Sequence, residues 1–183
     1  MSCGKIDLKC ARCRLSKGRT QVVPGIGSCS SNIVFIGEAP GKDEDLRGEP
    51  FVGRAGKLLD QALSDCGVSR SKVYISNLAK CRPPGNRRPR RDEIAACSVF
   101  LESELETISP EVVCALGQTA AERLLRKRGK MSSLTRGEHV IEVGNRRMKL
   151  LVAYHPAACL YQRKNTASFK KSIRHGLVAA GII

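Results

Sequence analysis

Three short segments of the chain carry the side chains best suited to chemistry. Glu38 lies within Gly37–Gly41, where glycines and a proline interrupt regular structure and leave backbone N–H groups free for a ligand. Asn77 offers a carboxamide that donates and accepts hydrogen bonds at once, and His155 offers an imidazole that exchanges protons near neutral pH. Taken separately, each segment also has a simpler interpretation: the first as a solvated acidic loop, Asn77 as a turn former and His155 as a structural histidine.

Each segment directly follows a short apolar run, and this placement favours one common site. The runs predicted as strands are Ile33–Ile36, Val73–Ile75, Val112–Leu116 and Leu150–Ala153. Stretches with helical spacing lie between them, and strands that alternate with helices form a parallel sheet covered on both faces. Ligands of such sheets bind beyond the carboxyl ends of the strands, so chemistry is expected at 37–41, 76–80, 117–119 and 154–158.

These elements predict one α/β domain over residues 1–183, with three αβα layers around a central four-stranded parallel sheet. Helices are predicted at 57–63, 94–105, 118–125 and 168–178, and Gly67 is expected to end the first of them. Gly144-Asn145 predicts a hairpin between 140–143 and 147–151 that leads into the last strand.

The charge of the chain indicates a polyanionic partner. Lys and Arg number 32 against 17 Asp and Glu, a net charge of +15, and each phosphate that a cation neutralises releases a condensed counterion. Nucleic acid is the first candidate and an anionic membrane surface the second. No apolar run is long enough to span a membrane, and residues 1–14 lack the apolar core of a secretory signal, so an intracellular protein is expected.

Two stretches of opposite charge lie beside the predicted site. Five acids occur between residues 38 and 49, in a segment whose glycines and proline predict an irregular loop. Six cations and no acid occur between Lys80 and Arg91, in a run whose prolines disfavour a helix. Such runs are usually solvated surface, but this one continues directly from Asn77, which favours contacts with phosphates.

The nine cysteines of an intracellular protein predict metal binding and core packing and disfavour a disulfide framework. The predicted metal ligands are Cys10, Cys13, Cys81 and Cys97. On their spacing alone, zinc and an iron–sulfur cluster are about equally favoured, since four thiolates serve both. The other cysteines divide into predicted packing residues, Cys66 and Cys114, and residues without a predicted role, Cys3, Cys29 and Cys159.

Three motifs resemble those of the family 4 uracil-DNA glycosylases, the iron–sulfur branch of that superfamily. They are GEAPGKDEDLRGEPFVGRAGKLLD, YISNLAKCRPPGNR and YHPAA, within residues 33–60, 73–97 and 151–158. Their order and separation agree with that family, and the resemblance covers nearly the whole chain from Cys10 onward. It implies a uracil-DNA glycosylase-like fold, a DNA repair enzyme that flips and excises uracil, and a [4Fe-4S] cluster on the four predicted thiolates.

The resemblance implies that Gly37, Glu38 and Ala39 line the uracil pocket. The best-known uracil-DNA glycosylases have, at the position of Ala39, an Asp that activates or positions the attacking water. Without that acid, catalysis is expected to depend on stabilising the departing uracil anion, in the manner of an oxyanion hole. Glu38 is the candidate to orient the water or to stabilise the oxocarbenium-like sugar.

The resemblance implies roles for four further side chains. Phe51 would stack on the flipped base, and Asn77 would pair with the edge of uracil and reject cytosine. His155 would donate a hydrogen bond to a uracil carbonyl oxygen and stabilise the leaving anion. Glu44 would lie near C5 of the pyrimidine and help to exclude the methyl group of thymine.

DNA contacts are expected around this pocket. A loop is expected after His155, and its wedge candidates are Leu160 and Tyr161, which would fill the space of the flipped nucleotide. The candidate phosphate-binding residues are Arg54, Arg82, Arg163 and Lys164. The expected partner is single- or double-stranded DNA containing uracil, with a sliding clamp as a candidate recruiter. The protein is expected to be a cytoplasmic, nucleoid-associated monomer without a membrane partner.

Three other functions compete with this interpretation. An inactive iron–sulfur protein that only binds nucleic acid would not need Glu38, Asn77 and His155 together. A glycosylase for other deaminated bases stays open, although Asn77 with Glu38 favours uracil over hypoxanthine. A glycosidase acting on sugars could pair Glu38 with Glu44, but the charge of +15 and the base-reading Asn77 argue against it.

Overall fold

The apolar runs of the sequence form the centre of a six-stranded sheet. The computed structural model describes residues 2–183 and contains the strands β1 (Ile26–Gly27), β2 (Ile33–Gly37), β3 (Tyr74–Asn77), β4 (Val112–Leu116), β5 (His139–Val143) and β6 (Arg146–Ala153). Their order in the sheet is β1-β3-β2-β4-β6-β5. The four inner strands are parallel, and β1 and β5 pair antiparallel at the two edges. The predicted parallel centre is confirmed, and the edge strands extend it to six.

The described residues contain seven α-helices, and four of them correspond to the predicted ones. The helices are α1 (Lys42–Arg47), α2 (Arg54–Ser64), α3 (Arg91–Ile108), α4 (Gln118–Leu125), α5 (Met131–Leu134), α6 (Pro156–Tyr161) and α7 (Lys164–Ala179). The bounds of α4 match the prediction. The helices α2, α3 and α7 begin three or four residues earlier than predicted, because their first turns are polar and carry no apolar periodicity.

Two segments predicted as loops are short helices, and the prediction was wrong there. Residues 42–47 form α1, whose start is closed by the Glu44 carboxylate, which accepts a hydrogen bond from the Gly41 N–H at 3.1 Å. The segment after His155 forms α6. Pro156 begins that helix, where its missing N–H costs nothing, and His155 Nδ1 accepts the Ala157 N–H at 3.1 Å as the N-cap.

The core lies on both faces of the sheet. On one face, α2, α6 and α7 pack around Phe35, Leu59 and Phe169. On the other, α3 and α4 pack around Val34 and Leu105, with further residues of β6. Every residue of β2, β3 and β4 is buried, as expected of parallel strands covered on two sides. The carboxyl ends of β3, β2, β4 and β6 therefore meet at one edge of the molecule.

Cys3 and Cys29 form a disulfide, with a Cα–Cα distance of 5.6 Å. The sequence suggested no role for either residue, because pairing between distant cysteines depends on a chain path that spacing does not reveal. The bridge ties the N-terminal segment to the connection between β1 and β2. Among the helices of residues 2–183, none combines the length and apolarity needed to cross a membrane.

Candidate active site

The carboxyl ends of the four parallel strands line one cleft of about 470 Å³. Glu38 follows β2, Asn77 ends β3, Gly117 follows β4 and His155 follows β6. Phe51 joins them from the segment between α1 and α2. The structure thus brings together residues from all four strand ends at which the sequence placed chemistry.

Phe51 forms a wall of the cleft and has a left-handed backbone, with φ of 54°, which is uncommon for a bulky residue. Arg70 holds this turn: its Nη1 donates to the Phe51 carbonyl at 3.1 Å, and its guanidinium also donates to the Pro50 carbonyl. Asp60 accepts from Arg70 at 2.7 Å. A Cβ at Gly56 would lie 1.8 Å from the Phe51 oxygen. No local sequence signal pointed to Arg70, because the contact spans 19 residues.

Gly37 allows Phe51 and Asn77 to approach the end of β2. A Cβ at residue 37 would lie 2.4 Å from Asn77 Oδ1 and 2.5 Å from Phe51 Cζ, so a side chain here would displace both. Asn77 is 3% exposed, and its carboxamide forms no hydrogen bond within residues 2–183. The donor and the acceptor of this amide are therefore available to a ligand in the cleft.

His155 presents a neutral imidazole with a defined tautomer. Its Nδ1 accepts the Ala157 N–H, so the proton of the neutral ring lies on Nε2. Desolvation lowers the pKa of His155 to about 4, and the negative charge of Glu44 opposes this shift. The ring centroid lies 5.8 Å from that of Phe51, and a Cβ at Gly117 would lie 2.9 Å from His155 Cβ. The cleft therefore holds a fixed N–H donor that is uncharged at neutral pH.

Glu44 braces the two loops on one side of the cleft. Its Oε2 accepts from the Gly41 N–H at 3.1 Å, and its Oε1 accepts from Val52 and Gly53 at 3.0 and 2.9 Å. These three bonds connect the end of β2 to the turn that carries Phe51. Glu44 lines the cleft as expected, and its proximity to C5 of a bound pyrimidine stays a prediction.

Glu38 and Ala39 both line the cleft. The Glu38 side chain is 26% exposed, and its Oε2 lies 3.9 Å from Arg88 Nε. The Glu38 carbonyl accepts the Ala79 N–H at 3.1 Å, which fixes the backbone of this residue. A partly hydrated carboxylate therefore stands at the mouth of the cleft, next to a cation.

The basic run after Asn77 divides into an inner and an outer part. Lys80 is 1% exposed and does not belong to the surface, which corrects the expectation that the whole run contacts phosphates. Arg87 forms a bidentate ion pair with the buried Glu93: Nη1 donates to Oε2 at 2.9 Å and Nη2 donates to Oε1 at 2.6 Å. This contact lowers the pKa of Glu93 to about 2. Arg88 is exposed and lines the cleft together with Arg87.

The predicted DNA contacts lie outside the cleft. Tyr161 is 86% exposed and Leu160 is 36% exposed, both at the end of α6. The cations Arg54, Arg163 and Lys164 are exposed, and Arg82 is half-buried with its Nε bonded to Asn86 at 2.7 Å. These positions are accessible, and their contact with DNA stays a prediction.

The four predicted metal-binding thiols come from the N-terminal segment, the basic run and α3. Cys10, Cys81 and Cys97 are buried, and Cys13 is half-buried. Two donors point at sulfur atoms: Arg19 Nη1 lies 3.3 Å from Cys81 Sγ, and the Lys80 N–H lies 3.2 Å from Cys97 Sγ.

Each of these sulfurs lies within electrostatic range of its neighbours. Desolvation raises the pKa of Cys81 to about 11, with smaller contributions from Cys97 and Cys13. Desolvation also raises the pKa of Cys97, with contributions from Cys13 and Cys10. Within residues 2–183, no group of three or more His, Cys, Asp or Glu side chains is arranged around a single metal ion.

Comparison with known proteins assigns the family. The profile of the uracil DNA glycosylase superfamily matches residues 24–176. The type-4 uracil-DNA glycosylase of Archaeoglobus fulgidus is 45% identical over 85% of this chain and 80% of its own length, and that of Thermotoga maritima is 45% identical over 86% and 81%. The type-5 uracil-DNA glycosylase of Pyrobaculum aerophilum is 30% identical over 82% and 79%. The chain therefore belongs to the uracil-DNA glycosylase superfamily, in the type-4 branch that its motifs resemble.

Proposed function

We propose that this protein is a DNA repair enzyme that excises uracil from DNA by hydrolysing the N-glycosidic bond and leaves an abasic site. The observation that carries the proposal is the fixed, neutral N–H donor of His155, which shares a cleft with the Asn77 carboxamide and the Phe51 ring. Such a cleft offers a stacking surface, an edge-reading amide and a donor for a leaving anion.

Recognition of the base follows from the chemistry of these groups. Phe51 stacks on the flipped base, a contact worth ~1–3 kcal/mol in other aromatic–base pairs. The Asn77 amide donates to a carbonyl and accepts from an N–H along one edge of uracil. Cytosine carries an amine in place of one carbonyl, so one hydrogen bond would pair a donor with a donor.

Cleavage depends on the leaving group. As the bond between the sugar C1′ and the base N1 breaks, the electron pair stays on uracil, and His155 Nε2–H donates to a uracil carbonyl oxygen that gains negative charge. Water adds to C1′ and gives up one proton, which balances the proton that the uracil anion takes up, and Glu38 orients this water or stabilises the cationic sugar. Ala39 supplies no acid, so stabilisation of the uracil anion carries most of the acceleration.

The four thiols are proposed to hold a [4Fe-4S] cluster. The donor set contains only sulfur, three of the four thiols are buried, and N–H groups donate to Cys81 and Cys97, which together fit such a cluster. The cluster would supply a structural cross-link between the N-terminal segment and the basic run, and the hydrolysis requires no electron transfer.

The test compares oligonucleotides that contain uracil with matched ones that contain thymine, followed by alkali cleavage at abasic sites. Cleavage of the uracil strand alone is expected, in both single- and double-stranded DNA. Intact uracil strands would overturn the proposal and favour a protein that only binds nucleic acid. A hypoxanthine arm tests the broader range of deaminated bases. We further propose that the protein acts as an intracellular, nucleoid-associated monomer. A sliding clamp is a candidate recruiter.

A further inference from the structure

A buried ion pair lies next to Asn77, one of the residues that line the cleft. Lys80 and Glu104 are each 1% exposed, and Lys80 Nζ lies 2.7 Å from Glu104 Oε2. Removing two charges from water is costly, and apolar residues of similar volume often stabilise a protein as well or better. A buried pair of this kind can instead fix the geometry of the groups around it.

The network around the pair is complete. The three protons of the Lys80 ammonium meet three acceptors, namely Glu104 Oε2, Ser76 Oγ and the Asn77 carbonyl at 3.0 Å. The Ser76 hydroxyl donates to Glu104 Oε2 at 2.7 Å, and the Gly25 N–H donates to Glu104 Oε1 at 3.0 Å. Fully satisfied buried networks of this kind hold their members in one arrangement.

One acceptor in this network is the backbone carbonyl of Asn77, whose side chain is proposed to pair with uracil. Asn77 ends β3 and pairs in register with Gly37, and beyond it the chain leaves the sheet. The side chain of Lys80 reaches back three residues and binds the Asn77 carbonyl, so the peptide plane after Asn77 is anchored to α3 through Glu104. The direction in which the Asn77 carboxamide leaves the backbone is set by this plane.

We propose that Lys80 is a positioning residue for uracil recognition: its ammonium fixes the backbone of Asn77 against Glu104, so that the Asn77 carboxamide meets the base without first having to be ordered. The proposal rests on the proposed uracil excision. Lys80 does not touch the substrate and acts through Asn77. A displacement of about 1 Å at such a group can cost about 100-fold in rate.

The same residue also contacts the thiol set. The Lys80 N–H donates to Cys97 Sγ at 3.2 Å, and its carbonyl accepts the Val23 N–H at 2.7 Å. Lys80 therefore connects Cys97, one of the four predicted metal-binding thiols, through its main chain to Asn77 through its side chain. Iron content must accordingly be measured next to catalysis in every variant.

The test uses Lys80→Met and the double variant Lys80→Met/Glu104→Gln, with Lys72→Met as the matched control. Lys72 is exposed just before the opposite end of β3. In Lys80→Met the unpaired Glu104 carboxylate lowers the melting temperature, and in the double variant, which has no charge at either of these two positions, the melting temperature recovers. The single-turnover excision rate of both is expected to fall about 100-fold, and inhibition by free uracil to weaken, while iron per protein stays at the wild-type level.

Recovery of the excision rate and of uracil inhibition in the double variant would overturn the proposal, because the pair would then serve stability alone. Should the double variant fail to fold, Ser76→Ala removes only the bridging hydroxyl. It is expected to slow excision severalfold with little change in melting temperature, and an unchanged rate would overturn the proposal equally. Absence of excision by the wild-type protein would instead reject the proposed function.

Discussion

At the scale of single residues, the site depends on groups whose protonation and direction are set by their neighbours. His155 would be about half protonated near pH 6.5 if it were free in water, but its surroundings keep it neutral and its N-cap bond fixes the tautomer. A neutral donor stabilises a leaving anion without requiring a proton from solvent. The same strategy of a deliberately neutral imidazole occurs in other enzymes.

Replacing His155 tests this role. His155→Ala is expected to lower kcat about 100- to 1,000-fold, the usual cost of losing such a donor, with a much smaller effect on DNA binding. His155→Gln, which retains a neutral N–H, should lose less. Because the folded-state pKa of the free protein is about 4, the wild-type kcat/KM should show no titration of this group between pH 5 and 8. A step near pH 6.5 that disappears in His155→Gln would contradict the neutral-donor mechanism.

Asn77→Asp tests base discrimination. A carboxylate accepts but does not donate, so it should lose its partner on uracil and gain one on the cytosine amine. The ratio of kcat/KM for uracil to that for cytosine is expected to fall at least about tenfold, which corresponds to ~1.4 kcal/mol. Excision is measured on matched oligonucleotides containing either base. Unchanged selectivity would remove Asn77 from the recognition step.

At the scale of elements, one arginine holds the turn that carries Phe51, the ring proposed to stack on the base. Arg70 precedes β3 and reaches across to the backbone of Phe51 and Pro50, and Asp60 on α2 orients it. The left-handed conformation of Phe51 costs free energy that these contacts offset. The position of the ring is therefore built into the free protein.

Arg70→Met is expected to release this turn while keeping most of the apolar stem. Lost charge-assisted hydrogen bonds should lower the melting temperature by roughly 3–10 °C, and KM for uracil DNA should rise severalfold because the ring is no longer pre-positioned. Lys57→Met, at an exposed position of α2, is the control and should change neither. A variant with the stability loss but an unaltered KM would show that Phe51 is held by other contacts.

Removal of one thiol tests the structural role of the proposed cluster. Cys81→Ala should yield protein without iron in which residues 2–20 and the basic run become sensitive to protease together, because both segments would share the cluster as their anchor. DNA affinity should fall with them. Cys66→Ala is the control, since Cys66 packs against the apolar core. DNA binding that survives intact in iron-free Cys81→Ala would contradict this role.

The sequence predicted best what local pattern determines. The bounds of β4 and α4 agree with the structure because a five-residue buried run is followed by a glycine and then by an amphipathic helix. The convergence of strand ends followed from topology alone. The inward turn of Lys80 could not be predicted, since its partner Glu104 lies 24 residues away on α3, and a lysine in a basic run indicates surface. The contact between Arg70 and Phe51 and the Cys3–Cys29 disulfide also could not be predicted, because their partners lie far apart in the sequence.

At the scale of the whole molecule, the charge of +15 should dominate affinity for DNA. If about six phosphates are contacted, a plot of log affinity against log salt should have a slope of roughly −5. Titrations of a duplex with a non-cleavable uracil analogue at several salt concentrations measure this slope, and Arg163→Gln should reduce it by about one unit if that side chain binds a phosphate. A slope near zero would show that the basic surface does not face the DNA.

The separation of the four thiols along the chain has a consequence for how the protein is made. Cys10 and Cys13 emerge from the ribosome first, and Cys97 follows on α3 about 80 residues later. At a synthesis rate of ~5–20 residues per second, the interval between them is several seconds. Assembly of the proposed cluster would have to follow synthesis of the entire basic run and the first half of α3. A cell short of iron would therefore accumulate complete but unmetallated chains, and repair capacity would follow the supply of clusters as well as the rate of translation.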